Sequence, residues 1–262
     1  MRVHVVSDVH GNVEALKRVG DGADAVLVLG DLLNFVDYHD HSGGILGAIF
    51  GPDKVAAFAA LRSGKRNREA VEYVRALWDG LRDSADAVQS AIREQYRDLF
   101  GALSAPTYLT PGNVDAPEVW PEFAGAGITV LDDECATLGG LRFGFAGGGL
   151  RAADIPPRSG GGWQPYLRSE ADLAAGLRAL GRVDVLCTHV PPDIPELVYD
   201  VVATRAERGS VAARELIDAQ APMAALFGHV HQPLAQRLRR GHTECVNVGH
   251  FQRTATPYVL RW

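Results

Sequence analysis

The sequence predicts a mixed α/β fold with a sheet-rich C-terminal half, and two observations lead to this prediction. Short valine- and leucine-rich runs at Val3–Val6 and Ala25–Leu29 flank Val13–Val19, whose apolar residues are spaced as in a helix. These segments form a β-α-β pattern with almost continuously apolar strands, which is typical of a buried sheet. Farther along, paired apolar runs about Gly139-Gly140 and Gly241 predict two β-hairpins.

The remaining elements follow from local patterns. Asn12 is placed to cap the first helix, and Ser169 with Asp172 has capping-box spacing for a helix over Ser169–Leu180. Further strands are expected at Thr107–Thr110, Val183–Cys187, Ala224–Phe227, Thr129–Leu138, Leu141–Ala146, Leu234–Arg240 and Thr243–Val248. With 262 residues, 47% of them hydrophobic, a single domain spanning residues 1–262 has enough apolar side chains for a substantial core.

The segment Pro52–Leu103 has a longer helical pattern. Its apolar residues recur at three- and four-residue steps, at Val71, Val74, Trp78, Leu81, Ala85, Val88, Ile92, Tyr96, Leu99 and Leu103. One helix, or two broken near Gly80–Ser84, would place them on one face. An unbroken helix from Asn67 would be roughly 55 Å long, which is long for a crossover helix. We expect the segment to cap a site or to form a homodimer contact; the alternative is a helical hairpin packed on the sheet.

Composition excludes several classes of protein. The formal net charge is −6 and no basic stripe stands out, so a general nucleic-acid binder is not expected. The three cysteines include no Cys-x-x-Cys pair, and we interpret them as free thiols in a reducing compartment. No apolar run reaches the roughly 20 residues that span a membrane, and the first residues have no signal core. We therefore expect a soluble cytoplasmic protein, on the assumption that the sequence is complete.

Acidic, amide and imidazole side chains recur where predicted strands give way to loops. They are Asp8, His10, Asp31, Asn113, His189, His229 and His231. Because open α/β sheets place their sites beyond the carboxyl ends of the strands, we expect these groups to converge. Oxygen ligands and neutral imidazoles suit Mn, Fe, Zn, Co or Ni, and a bridging carboxylate holds two such ions about 3.5–4 Å apart. The pattern therefore predicts a hydrolase with two divalent metal ions.

The order of these blocks resembles the calcineurin-like metallophosphoesterase family. The family signature is Asp-x-His, Gly-Asp, Gly-Asn-His-Asp/Glu, a lone His and Gly-His-x-His. The blocks here are Asp8-Val9-His10, Gly30-Asp31, Gly112-Asn113-Val114-Asp115, His189 and Gly228-His229-Val230-His231. In addition, Asn247-Val248-Gly249 resembles the family's closing Asn-Pro-Gly. The resemblance covers the whole chain except roughly Phe35–Leu103.

The resemblance implies two mixed β-sheets packed face to face with flanking helices, a four-layer αββα sandwich, plus a helical insertion at about residues 36–103. It implies one metal ion held by Asp8, His10 and His231, a second held by Asn113, His189 and His229, and a bridging carboxylate from Asp31. Asp31, Asn113 and His189 would then be catalytic. A hydroxide held by the metals would attack the phosphorus of a small phosphoester in line with the leaving oxygen.

One position departs from the family pattern. The usual histidine after Gly-Asn, which contacts the phosphate and is often assigned to protonate the leaving group, is Val114 here. Members without that histidine resemble phosphodiesterases, so phosphodiesters are favoured. The alternatives are a phosphomonoesterase or nucleotide pyrophosphatase, and a scaffold that kept the fold without turnover. Asp115 has no histidine to steady, and we interpret it as a helix N-cap before Ala116-Pro117.

Candidate substrate contacts lie outside the metal set. The polar cluster 37–41 follows the Gly-Asp block, and His39 or His41 would contact the substrate or replace the missing general acid. A solvated polar loop is the alternative for this cluster. His250 directly follows Gly249, and Arg151 follows a glycine-rich strand exit where it would bind phosphate. For these two residues the alternative is a packed or surface side chain.

Overall fold

The computed structural model describes residues 1–104, 106–152 and 162–262. Within these ranges the strands are β1 (Arg2–Val6), β2 (Ala25–Leu29), β3 (Thr107–Thr110), β4 (Ile128–Val130), β5 (Glu134–Leu138), β6 (Leu141–Ala146), β7 (Gly149–Leu150), β8 (Leu167–Arg168), β9 (Val185–Thr188), β10 (Tyr199–Asp200), β11 (Arg205–Ala206), β12 (Ala224–Phe227), β13 (Arg237–Arg240), β14 (Thr243–Asn247) and β15 (Tyr258–Arg261). The α-helices are α1 (Val13–Leu16), α2 (Gly44–Phe50), α3 (Pro52–Ser63), α4 (Asn67–Asp79), α5 (Ser84–Gly101), α6 (Glu170–Ala179), α7 (Pro195–Val198), α8 (Val211–Gln220) and α9 (Phe251–Thr254), and a 3₁₀ helix spans Pro117–Glu122.

Two large mixed sheets form the centre of the fold. The first has the strand order β15–β1–β2–β3–β4, and its strands are parallel except for β15 at the edge. The second has the order β13–β14–β12–β9–β6–β5, in which β14, β12, β9 and β6 run parallel and the two edge strands run antiparallel. The parallel strands of each sheet therefore present their carboxyl ends at a common edge.

The alternation of side chains along the strands produces the layers. Val5 and Leu27 of the first sheet share a buried cluster with Phe145 and Leu226 of the second sheet. The opposite face of the first sheet packs on α1 and α5, and that of the second sheet packs on α6 and α8. Successive strand residues point to opposite faces, so each sheet is apolar on both sides. The predicted αββα layering of two mixed sheets is confirmed.

Several predicted elements need correction at their boundaries. The predicted strand Thr129–Leu138 is divided between the two sheets, with β4 in the first and β5 in the second. Asp133 has a left-handed backbone (φ 57°), which turns the chain between them. The first helix ends at Leu16, short of the predicted Val19. The predicted caps are confirmed: Asn12 accepts a hydrogen bond from the Ala15 amide, and a complete capping box begins α6.

The insertion contains α2, α3, α4 and α5, and the apolar run Val71–Leu103 forms two helices, α4 and α5, as one of the two predicted arrangements has it. The predicted break near Gly80–Ser84 is present, because α4 ends at Asp79 and α5 begins at Ser84. The expected continuous apolar face is wrong. Ile92 and Leu99 of α5 are fully buried in this chain's own core, whereas Val71 of α4 is 49% exposed. Helix α5 therefore packs on the first sheet. Helix α4 is mostly exposed, with Ala70 as its buried residue.

The cysteines and the helices bear on the expected location. Cys135, Cys187 and Cys245 are all free thiols. Along the described part of the chain, no helix is both long and apolar enough to cross a membrane. The cytoplasmic location expected from the sequence stays a prediction.

Candidate metal centre

The loops after β1, β2, β3, β9 and β12 carry the predicted metal ligands, and the structure brings all of them together. They are Asp8, His10, Asp31, Asn113, His189, His229 and His231. Four of them have left-handed backbones, with φ of 55° at Asp8, 40° at His10, 55° at Asp31 and 69° at His229. This conformation is uncommon outside glycine and clusters at functional sites. The chain therefore accepts backbone strain in three of the five loops, those after β1, β2 and β12.

Asp8, His10 and His231 form one group of converging ligand atoms. The Nε2 atoms of His10 and His231 lie 3.2 Å apart, and Asp8 Oδ1 lies 3.4 Å from His231 Nε2. Asp8 is almost completely buried, and its Oδ1 has no hydrogen-bond partner in the described structure. His10 Nδ1 donates to the Leu33 carbonyl at 3.0 Å. Because a carbonyl only accepts, the Nε2 of a neutral His10 carries its lone pair toward the group.

Asn113, His189 and His229 form a second group. Asn113 Oδ1 lies 3.0 Å from His189 Nε2 and 2.8 Å from His229 Nδ1. His189 Nδ1 donates to the Leu29 carbonyl at 2.8 Å, so a neutral His189 would face the Asn113 oxygen with a lone pair. That contact is favourable only if His189 is protonated or a cation lies beside both atoms. The donor set fits a metal ion for this reason.

Asp31 lies between the two groups. Its Oδ2 is 3.5 Å from His189 Nε2 and 3.9 Å from His10 Nε2. Its Oδ1 accepts a hydrogen bond from the Val114 amide at 2.9 Å, which fixes the orientation of the carboxylate. Oδ2 is therefore presented to both groups at once, where a bridging ligand is needed.

Close packing explains the glycine in two of the blocks. A Cβ on Gly112 would lie 2.1 Å from Asp31 Oδ1, and a Cβ on Gly228 would lie 2.4 Å from Asp8 Oδ2. Any side chain there would displace the carboxylates, so only glycine fits. Asn247 holds the second loop by donating from Nδ2 to the Gly228 and Val230 carbonyls, at 3.3 and 2.9 Å. The motif at 247–249 thus positions the loop after β12 that carries His229 and His231.

The titration behaviour of the groups follows from their mutual charges. Burial raises the pKa of Asp8, but the close approach and charge of His231, with the charges of His189 and His10, outweigh it and hold that pKa below its ordinary value. Burial lowers the pKa of His189, but the carboxylates of Asp31 and Asp8 outweigh it and the net shift is upward. Burial and the positive charge of His189 lower the pKa of His229 to about 4. Ionised carboxylates and a neutral His229 are the forms that metal binding requires.

Asp115 has a different role from the one predicted. The residue before the 3₁₀ helix is Ala116, and that helix has no side-chain cap. Instead Asp115 is fully buried, and its Oδ2 accepts from the Asp31 and Gly112 amides at 2.8 and 2.9 Å. Its Oδ1 accepts from the Leu32 and Leu33 amides and the Tyr96 hydroxyl at 3.0, 3.3 and 3.2 Å. Burial and the charge of Asp31 raise the pKa of Asp115 to about 6. The carboxylate ties the Asp31 loop to the Asn113 loop, which the N-cap interpretation missed.

A cleft of about 990 Å³ opens from the metal centre. His39 and His250 line it among the predicted substrate contacts, whereas His41 and Arg151 are not among its lining residues in the described chain. His250 stacks on His231 with ring centroids 3.9 Å apart, and burial followed by the charge of His231 lowers the pKa of His250 to about 4. Substrate contacts by these four residues stay a prediction.

Some residues at the site carry no sequence signal. The backbone N–H of Gln252 donates to the Asp8 carbonyl at 2.9 Å, and its side-chain Nε2 donates to the His10 carbonyl at 3.1 Å. Phe35 and Trp163 stack beside Val114, with ring centroids 4.1 Å apart. These contacts join segments far apart in the chain, and none of the residues belongs to a motif or a periodic run. Only the fold reveals them.

Two packed mixed sheets whose strand ends bring carboxylates, an amide and imidazoles together define the class of metal-dependent phosphoester hydrolases. The chain belongs to the calcineurin-like phosphoesterase family, whose family model matches residues 1–233. Members of this family normally bind divalent metal ions, and the Asp and His cluster here is a candidate site for them. Metal ligation by the seven individual residues stays a prediction.

Comparison with solved structures supports the fold. One crystal structure, 17% identical in sequence, matches with a TM-score of 0.59 over 96% of this chain and 91% of its own. The NAD nucleotidase NadN of Haemophilus influenzae is 12% identical and has a TM-score of 0.42, with 100% of this chain matched to 49% of that chain. This second similarity is too low to carry a functional argument. No curated protein matches the sequence.

Proposed function

We propose that the protein is a dinuclear metal-dependent phosphodiesterase. The observation that supports this most directly is the position of Asp31 Oδ2 between the His10 side and the His189 side of the ligand cluster. Two divalent ions of the Mn, Fe, Zn, Co or Ni group suit the nitrogen and oxygen donors, and manganese is the ion we would test first. When bound, such ions lower the pKa of water and neutralise charge on the phosphate.

The chain's own residues prepare the site for that chemistry. The Leu33 and Leu29 carbonyls fix the tautomers of neutral His10 and His189, so that both present Nε2 to the centre. The Val114 amide holds Asp31, and the Asp31 carboxylate in turn keeps its second oxygen free for the metals. This second layer of hydrogen bonds positions the ligands before any substrate arrives.

The carboxylates of Asp31, Asp200 and Glu207 line the cleft, but so do basic side chains without an ion-pair partner among the described residues, and these would attract an anionic substrate. Arg62, Lys65 and Arg253 line the cleft, and none of the three forms an ion pair with a carboxylate within the described residues. Arg205, which also lines the cleft, is paired with Glu207. Unpaired cations on the wall of a cleft raise the local concentration of anions and steer them inward. A phosphoester would therefore be drawn toward the metal centre.

Val114 favours diesters over monoesters. Its side chain lines the cleft where the family's usual histidine would stand, and valine donates no proton. Esters with poor leaving groups depend most on protonation, whereas activated diesters depend on it least. Purified protein reconstituted with manganese should bind about two ions per chain and hydrolyse bis(4-nitrophenyl) phosphate with kcat/KM at least about 10-fold above that for 4-nitrophenyl phosphate. Faster hydrolysis of monoesters or of a dinucleoside diphosphate would instead support the alternative enzymes, and metal binding without turnover of any ester would support a scaffold.

Restoring the histidine tests the same point within one chain. Val114→His should raise the ratio of monoester to diester kcat/KM by about 10-fold or more, because a general acid contributes on the order of 10²–10⁴-fold to such steps. Val114→Leu is the matched control, since it changes the side chain without adding a proton donor. An equal change of the ratio in both variants would show that shape rather than proton donation sets the preference.

The insertion is proposed to cap the cleft. The end of α3, the turn after it and the start of α4 contribute Arg62, Lys65 and Asn67 to the cleft wall. Trp78 of α4 packs the edge of its ring on Phe50 of α2, with centroids 4.6 Å apart. A homodimer through the insertion stays the alternative proposal, but the buried face of α5 cannot contribute to it.

Trp78→Ala separates these proposals. Loss of the half-buried ring should lower the free energy of unfolding by about 2–3 kcal/mol and loosen α4, which should raise KM and broaden the range of diesters accepted. The mass measured by analytical ultracentrifugation should stay unchanged. Val71→Ala, on the exposed side of the same helix, is the control and should change neither the free energy of unfolding nor KM. A halved mass with unchanged kinetics would favour the dimer.

A further inference from the structure

A second cavity of about 390 Å³ adjoins the metal centre. We call this cavity the side pocket. Its walls include Phe35, Val36, Tyr38, Val114 and Trp163. His10, His39, His231 and His250 line both the side pocket and the large cleft. One small molecule can therefore place its phosphate at the metal centre and another of its groups in the side pocket. The volume lies in the range of pockets that bind small molecules.

The side pocket differs from the large cleft in charge. No carboxylate, ammonium or guanidinium group is among its lining residues in the described part of the chain. Among the described residues, its uncharged polar groups besides the imidazoles are the side chains of Asn34 and Gln252, the Tyr38 hydroxyl and the Trp163 indole N–H. An uncharged group would enter it at no electrostatic cost, whereas a second phosphate would find no cation there. The charged part of a substrate is thus directed to the cleft and an apolar part to the side pocket.

The aromatic wall is held rigidly. Phe35 and Trp163 are stacked at an interplanar angle of 27°, and Trp163 Nε1 donates to the Val114 carbonyl at 3.1 Å. Asn34, just before Phe35, exchanges two 3.0 Å hydrogen bonds with the side chain of Gln95 on α5. The Leu46 amide of α2 donates to the Phe35 carbonyl at 3.0 Å. The insertion therefore fixes one wall of the pocket, and the pocket does not need to form on binding.

Val114 connects the side pocket to the metal centre. It lines both cavities, and its amide contacts Asp31 while its carbonyl contacts Trp163. Among the described residues, the others that line both cavities are Tyr38 and four histidines, so Val114 supplies the aliphatic surface at their junction. An imidazole at this position would remove that surface. Val114 thus lacks the proton donor of the family's usual histidine, but it contributes an apolar surface beside the expected phosphate position.

We propose that the side pocket binds a planar aromatic group of the phosphoester, an aryl ring or a heteroaromatic base, while the phosphate lies at the metal centre. This inference rests on the proposed function and names its substrate class. Three aromatic side chains in five wall positions favour a flat ring, because aromatic pairs add to the energy of simple area burial. The side pocket selects the organic group that is esterified to the phosphate, and the reaction takes place at the phosphorus beside the metal centre.

Binding of phosphonates to the metal-loaded protein tests this without turnover. By isothermal titration calorimetry, phenylphosphonate should bind about 10- to 100-fold more tightly than methylphosphonate, which has the same anionic group and no ring. Cyclohexylphosphonate should fall well below phenylphosphonate. Equal affinity of phenyl- and methylphosphonate would overturn the pocket assignment, and equal affinity of phenyl- and cyclohexylphosphonate would overturn its aromatic character.

Two tryptophans provide a matched pair of variants. Trp163→Ala should reduce the preference for phenylphosphonate by about 10-fold. Trp262→Ala is the control, since Trp262 also donates Nε1 to a carbonyl at 3.1 Å and packs on a phenylalanine, but far from the pocket. It should leave the preference unchanged. Tyr38→Leu, at a side chain 49% exposed, tests the wall again with little risk to folding and should also weaken the preference. If neither wall variant changes it, the proposal is wrong.

The outcomes also separate this inference from the proposed function. If the protein binds phenylphosphonate tightly but hydrolyses no diester, the result supports the aromatic side pocket and contradicts the proposed phosphodiesterase function. Hydrolysis of diesters with no preference among the phosphonates would keep the phosphodiesterase and reject the pocket.

Discussion

Asp31→Asn is expected to reduce phosphodiester hydrolysis by at least about 10³-fold and to lower the bound metal to about one ion or fewer per chain. Asparagine keeps the shape of the side chain and retains an oxygen that accepts from the Val114 amide. It replaces the charged Oδ2, which faces His10 and His189, with an uncharged NH₂ group that has no lone pair for a metal. The fold should therefore survive while the bridge is lost.

Metal content by inductively coupled plasma mass spectrometry and turnover of bis(4-nitrophenyl) phosphate are the two measurements. Asp184→Asn is the control, because Asp184 precedes β9 at the end opposite to His189 and its carboxylate accepts from the Arg142 amide at 2.8 Å. It should leave both measurements unchanged. An Asp31→Asn protein that binds two ions and turns over like the wild type would refute the bridging role.

Asp115→Ala should have the largest effect on stability. The substitution removes the acceptor for four buried amides, those of Asp31, Leu32, Leu33 and Gly112. Each buried N–H group left without a partner costs about 1–3 kcal/mol, and water entering the cavity recovers part of that. We expect the free energy of unfolding to fall by about 3–5 kcal/mol. Metal affinity should fall with it, because the Asp31 and Asn113 loops are no longer tied together.

Chemical denaturation of the metal-free protein measures the first effect, and titration with manganese measures the second. Tyr96→Phe is the graded comparison, since it removes only the hydroxyl that donates to Asp115 and accepts from the Ala116 amide. It should cost about 1 kcal/mol and preserve metal binding. If Asp115→Ala unfolds at the wild-type denaturant concentration, the carboxylate does not hold the two loops.

Much of the fold was accessible from the sequence because it depends on local patterns. The runs at β2 and β12 are short, apolar and followed at once by Gly-Asp or Gly-His, and β3 is followed by Pro-Gly-Asn, so strand, turn and candidate ligand are neighbours in the chain. The capping box of α6 and the Gly139-Gly140 hairpin are likewise encoded within a few residues. The αββα layering came from the family resemblance.

Two predictions failed for different physical reasons. The segment predicted as one strand at Thr129–Leu138 contains Asp132 and Asp133, and the left-handed backbone of Asp133 turns the chain so that β4 joins one sheet and β5 the other. Asp115 has the local signature of an N-cap, but its carboxylate is satisfied by amides of the Asp31 loop, more than 80 residues away. A local pattern cannot show which distant N–H groups will be buried without a partner.

The candidate metal ligands and their positions after strands could be predicted from the sequence because residue chemistry and strand–turn order are local properties. Packing between distant segments places Asp31 Oδ2 between two groups, buries one face of α5 while leaving most of α4 exposed, and brings Phe35 and Trp163 together beside Val114. These arrangements depend on how non-neighbouring side chains fill a shared, close-packed volume. No single segment contains that information.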